Sequence, residues 1–145
     1  MSPTWTLPGV PHPPDWRVHW DDLHGRNPAL APLGDCPQDP IWHPEGDVLR
    51  HTRLVVEALA ALPAWRDLPA EPRSLLFTAA LLHDIAKPDT TRPDDEGRLI
   101  APGHGSRGAR RARSLLYRAQ DLDLPPPPLH LREQIVALVR HHGLP

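Results

Sequence analysis

The stretch EPRSLLFTAALLHDIAKP, residues 71–88, decides the fold. Pro72 suits a first helical turn, where its missing N–H costs nothing. Leu75, Phe77, Ala79, Leu82 and Ile85 follow as a broad apolar face. The spacing predicts a helix over 71–86 that buries one side and stops at Pro88. His83 and Asp84 interrupt the apolar run. An ionised carboxylate in such surroundings is costly unless neutralised, either by a buried arginine or by a metal ion.

Upstream, GDVLRHTRLVVEALAAL (46–62) carries Asp47 as a helix N-cap, with Val48, Val55, Leu59 and Leu62 at helical steps. His51 lies near its start. A cation shared with His83 and Asp84 would sit between two helices at a common polar end, a usual place for metals in bundles. Imidazole and carboxylate together suit Mn, Ni, Co, Fe or Zn, and Mg remains open as well. Downstream, TTRPDDEGRLIAP reads as a turn at Asp94–Gly97 between short extended pieces, a small hairpin. Two further helices are expected, at about 105–120 and 129–142, separated by four prolines at 125–128. The pattern is that of an all-α bundle.

The N-terminal 42 residues are of another kind. The chain holds 21 prolines in 145 residues, ten of them before Asp47, and such density marks irregular chain. Yet Trp5, Trp16, Trp20 and Trp42 lie there too, and a disordered tail has no use for them. Residues 1–42 are therefore expected to dock on the bundle, which occupies 43–145. Asp15 is read as the cap of a short helix with Trp16 and Trp20 on its inner stripe, and Asn27-Pro28 as the start of another short helix.

A formal charge of −2 excludes a strong overall positive field. The single cysteine, Cys36, has no intramolecular partner, no leader pattern opens the chain, and no apolar run approaches a membrane span. A cytoplasmic protein is the expectation. The histidines are concentrated rather than scattered: His43, His51, His83, His104, His141 and His142 all fall at helix ends or just before helices. Every basic residue except Lys87 is arginine, and that lysine stands three residues after Asp84, where it can address a phosphate or simply complement a helix end. Arg107, Arg110 and Arg111 share one helical face, either a solvated surface or a groove for a polyanion.

HPEGDVLRHT (43–52), LLHDIAKP (81–88), GHGSRGA (103–109) and VRHHG (139–143), in this order, resemble the motifs of the HD-domain metal-dependent phosphohydrolases. CPQDPIWHPEGDV and the closing LVRHHGLP are similar to the HD domain that accompanies a polynucleotide kinase in bacterial RNA end-healing enzymes. The HD domain of tRNA nucleotidyltransferases is a second likeness. The resemblance implies an all-α HD bundle and hydrolysis of 2′,3′-cyclic, 2′- or 3′-phosphate RNA ends. Nucleoside monophosphates or cyclic nucleotides are the alternative substrates, and a non-catalytic nucleotide- or partner-binding module is the rival of another class. It implies one or two divalent ions, with His51, His83 and Asp84 as central ligands and His104 with His141 or His142 as additional ones, Asp84 bridging. Asp84 and Lys87 would be catalytic, with Lys87, Arg107 and His43 contacting substrate. The later aspartate of single-metal members has no good match; Asp121 and Asp123 lie before the proline run. A fused or associated polynucleotide kinase domain is the implied partner, and the chain is expected to be part of a longer protein.

Overall fold

The computed structural model describes residues 3–144. Seven α-helices occur among them: α1 Trp20–Arg26, α2 Val48–Ala61, α3 Pro63–Arg66, α4 Ala70–Leu82, α5 Lys87–Thr90, α6 His104–Arg118 and α7 Leu129–His141. A 3-10 helix spans Pro28–Asp35. Two short strands, β1 Arg92–Pro93 and β2 Leu99–Ile100, form the expected hairpin, antiparallel with Arg92 opposite Ile100. The fold is all-α apart from that hairpin.

The helices follow the sequence with two instructive departures. Asp47 caps α2 as expected, its side chain accepting from the Arg50 N–H at 2.8 Å. Asp15 does not cap α1. Its carboxylate accepts from the Arg17 N–H two residues on, Trp16 takes a positive φ of 57°, and the helix starts only at Trp20. Helix α4 ends at Leu82, not at Ala86. Ile85 and Ala86 are buried in a turn, so the apolar pattern continues where the helix does not. Pro88 then sits in the first turn of α5 and opens a helix instead of closing one.

One core joins the bundle and the N-terminal segment. Phe77, Leu81, Leu82 and Ile85 from α4 and its following turn pack with Val56, Trp65, Leu116, Ile135 and Val139, and with Trp5, Leu7, Trp20 and Leu23. Trp5 is fastened at both ends, its backbone N–H to Glu71 and its indole N–H to the Pro125 carbonyl at 2.7 Å. Trp16 meets Trp65 edge-on and carries the Arg66 and Arg73 guanidinium groups over its ring. Trp42, by contrast, is 77% exposed.

Helices α6 and α7 lie against each other because Gly105 has no side chain. A Cβ there would stand 2.7 Å from the Arg140 carbonyl oxygen, and this approach brings the start of α6 to the end of α7.

Candidate metal centre

Four elements deliver side chains to one point. His51 comes from the first turns of α2, His83 caps the end of α4, His104 opens α6, and His142 follows the last residue of α7. Asp84 is at the middle, its side chain only 2% exposed. Its Oδ2 lies 3.1 Å from His83 Nε2 and 3.8 Å from His51 Nε2. Its Oδ1 lies 3.4 Å from both His104 Nε2 and His142 Nε2. Lys87 Nζ is 3.1 Å from Oδ2 and donates to the Gln38 side-chain oxygen at 2.8 Å.

The proton positions on these rings follow from what stands behind them. His83, His104 and His142 each place Nδ1 at 2.6–2.7 Å from a carbonyl oxygen three residues earlier, of Ala80, Ala101 and Val139. A carbonyl only accepts, so each Nδ1 carries the hydrogen and each neutral ring turns the Nε2 lone pair inward. His51 Nδ1 points to Glu45 Oε1 at 2.6 Å with the same result. His104 Nε2 and His142 Nε2 face each other at 3.1 Å, and both Asp84 oxygens are buried without an aligned hydrogen-bond donor. Lone pairs thus converge on an anion, and positive charge must enter, either as second protons on the rings or as a cation.

The titration of the pocket has the same sign. Burial alone would push the Asp84 carboxyl up, but His104, His142 and His83, donating through Nε2 when they carry a second proton, hold it well below the usual carboxylate range. The same pairing raises His142, while burial lowers His51 against the pull of Glu45. Imidazole nitrogen and carboxylate oxygen at these spacings fit a divalent cation. Among the described residues three groups of three ligand atoms each lie within 4.8 Å of one another: His51–His83–Asp84 and Asp84–His104–His142 share Asp84, and His43–Glu45–His51 stands behind the first.

Beside the centre opens a cleft lined by Gln38, Asp39, His43, Lys87, Thr91 and His104, among others. His43 and Lys87 both face this cleft. His141 does not join the cluster. Adjacent residues at a helix end diverge by about 100°, and with His142 turned inward His141 is exposed beside the groove between α2, α4 and α7. Arg107 also lies apart, donating to the Asp89 carbonyl at 3.3 Å, and Arg111 pairs with the Asp89 carboxylate. Asp123 pairs with Arg26 at 2.7 Å, and the Asp121 carbonyl accepts from Ala29; neither belongs to the three ligand groups.

Glu45 and Gln38 escaped the sequence reading. Both lie in a proline-punctuated loop, where no periodicity indicates which way a side chain faces. The available signal was their place within CPQDPIWHPEGDV.

The HD domain family model matches residues 48–145. The chain is 33% identical over 115 residues to the Multifunctional CCA protein of Halorhodospira halophila, covering 79% of this chain and 24% of that protein. It is likewise 33% identical over 116 residues to the Multifunctional CCA proteins of Ralstonia nicotianae and Cupriavidus necator, covering 80% of this chain and 23% and 24% of those proteins. It thus spans about a quarter of the length of these relatives. No solved structure gives a significant match. With the family model spanning all four histidines and Asp84, the chain belongs to the HD domain family, within the metal-dependent phosphohydrolase superfamily.

Proposed function

We propose that this protein is a metal-dependent phosphatase and phosphodiesterase acting on 2′,3′-cyclic, 2′- or 3′-phosphate ends of RNA. The observation that carries the hydrolase reading is the convergence of four inward-facing Nε2 atoms on the buried Asp84. His51 and His83 would hold one cation with Asp84 Oδ2, and His104 and His142 a second with Oδ1. A divalent ion there supplies an acidified water and neutralises charge on phosphoryl oxygens.

The side chains do the rest. Lys87, its ammonium held at the cleft wall between Gln38 and Asp84 Oδ2, would donate to a phosphate oxygen. His43 lines the same cleft and orients the ester. The cleft encloses only about 150 Å³, which suits a terminal phosphate and part of its sugar with the strand left outside. The openness of the cleft to solvent favours a polymer end over a wholly enclosed mononucleotide. The arginine face of α6 would meet the outgoing strand only by exchanging the Arg107 and Arg111 contacts to Asp89, and a polynucleotide kinase domain, fused or associated, is the partner such a substrate implies. Among the described residues no helix is long and apolar enough to cross a membrane.

The test is to incubate the chain and its Asp84→Asn variant with Mn²⁺ and an RNA bearing a 2′,3′-cyclic end, beside a nucleoside monophosphate. The RNA end is hydrolysed, and the variant loses more than about 10³-fold in rate. Hydrolysis of the mononucleotide alone would replace the RNA-end reading. Unchanged activity in the variant would remove the centre.

A further inference from the structure

Of the four inward-facing histidines, His51 is held differently. The other three each send Nδ1 to a backbone carbonyl three residues back. For His51 that carbonyl is Val48's, and it already accepts the buried Thr52 hydroxyl at 2.8 Å. His51 turns instead to Glu45 Oε1 at 2.6 Å. The same oxygen lies 3.1 Å from His43 Nδ1, and the two rings meet edge-on with centroids 5.0 Å apart. One carboxylate oxygen therefore sits behind both a histidine of the centre and a histidine of the cleft.

We infer that Glu45, with His43 and His51 on its Oε1, is a positioning residue that fixes the His51 tautomer and aim for metal binding and sets the cleft wall at His43. This rests on the metal-centre reading above. Glu45 stands outside the residues matched by the family model, in the loop before α2, and its side chain is 18% exposed. Carboxylates behind metal-binding histidines raise ligand basicity and restrict the ring, and losing one typically costs about 10- to 100-fold in metal affinity. Because the Oδ1 side of Asp84 is buttressed by carbonyls alone, the loss is confined to the His51 side.

The experiment measures Mn²⁺ affinity by calorimetry, with metal-free melting alongside, for Glu45→Ala, Glu45→Gln and His51→Ala in the full chain. Glu45→Ala loses about 10- to 100-fold in affinity with its metal-free melting temperature held. Glu45→Gln, which keeps an oxygen for the His51 N–H, recovers part of it and serves if the alanine variant folds poorly. An acid that merely complements the N-terminus of α2 would give the opposite pattern, lower metal-free melting and wild-type affinity, and that overturns the assignment. Wild-type affinity in both Glu45 variants while His51→Ala binds weakly likewise removes Glu45 and leaves the centre intact. Wild-type affinity in all three overturns the placement of the metal itself.

Discussion

The two oxygens of Asp84 face differently built halves of one pocket. On the Oδ2 side, His51 and His83 come from α2 and α4, Glu45 reaches in from a loop, and Lys87 occupies part of the space. On the Oδ1 side, His104 and His142 come from α6 and α7, held by main-chain carbonyls and by the close approach at Gly105. The first half depends on side chains that can be exchanged singly. The second depends on how closely two helices lie. Perturbations of side chains and of helix packing should therefore separate them.

The largest effect is expected from removing a ring on either side. His51→Ala and His142→Ala each leave two ligand atoms on their own side, and calorimetric Mn²⁺ titration should show one ion fewer bound than in the parent. Two ions retained in either variant would break the division. Next, Lys87→Ala should lower turnover about 10²- to 10³-fold, the usual cost of losing one donor to developing charge, without weakening Mn²⁺ binding, because the ammonium repels a cation at Oδ2. Steady-state kinetics beside calorimetry checks this.

Gly105→Ala attacks the packing. The new methyl meets the Arg140 carbonyl, so α6 and α7 must part, at about 1–3 kcal/mol by denaturant melting, and binding on the His104–His142 side should weaken while the His51 side holds. The smallest change is expected from Glu133→Gln, which removes the bidentate pair to Arg113 across the same two helices at 2.8–3.2 Å. Arg113 holds the Glu133 carboxyl below its ordinary value. A lowered carboxyl stabilises the fold above the ordinary carboxylate range and ceases to as pH falls through the lowered value. The melting deficit of the variant should accordingly be slight near neutrality, screened by salt, and vanish in acid.

The long periodic segments were legible because burial of one face imposes the helical repeat: α2, α4, α6 and α7 all lie within a few residues of their expected limits. Periodicity failed where burial outlasted the helix, at Ile85 and Ala86, whose apolar character comes from the turn they fill. The all-α class followed from the same repeats. Within the centre, His83 and Asp84 were visible as polar interruptions of an apolar run and His51 as their partner on the preceding helix, while His104 was reached only through the resemblance that GHGSRGA carries. The choice between His141 and His142 was not visible, since neighbouring residues differ only in the direction in which the last turn leaves them. Glu45 and Gln38 were hidden because an irregular loop has no repeat against which an inward residue stands out. The same limit hid the contrast between Trp20, which is buried, and Trp42, which is exposed.

The fastening of Trp5 has a consequence for biosynthesis. Its indole N–H is bonded to the carbonyl of Pro125, 120 positions away in sequence, and its main-chain N–H to Glu71. On a ribosome translating from the amino end, that tryptophan emerges 120 residues ahead of its last partner. Contacts of such separation slow folding, so the nascent strap must wait, unpaired and greasy, until the α6–α7 linker leaves the exit tunnel.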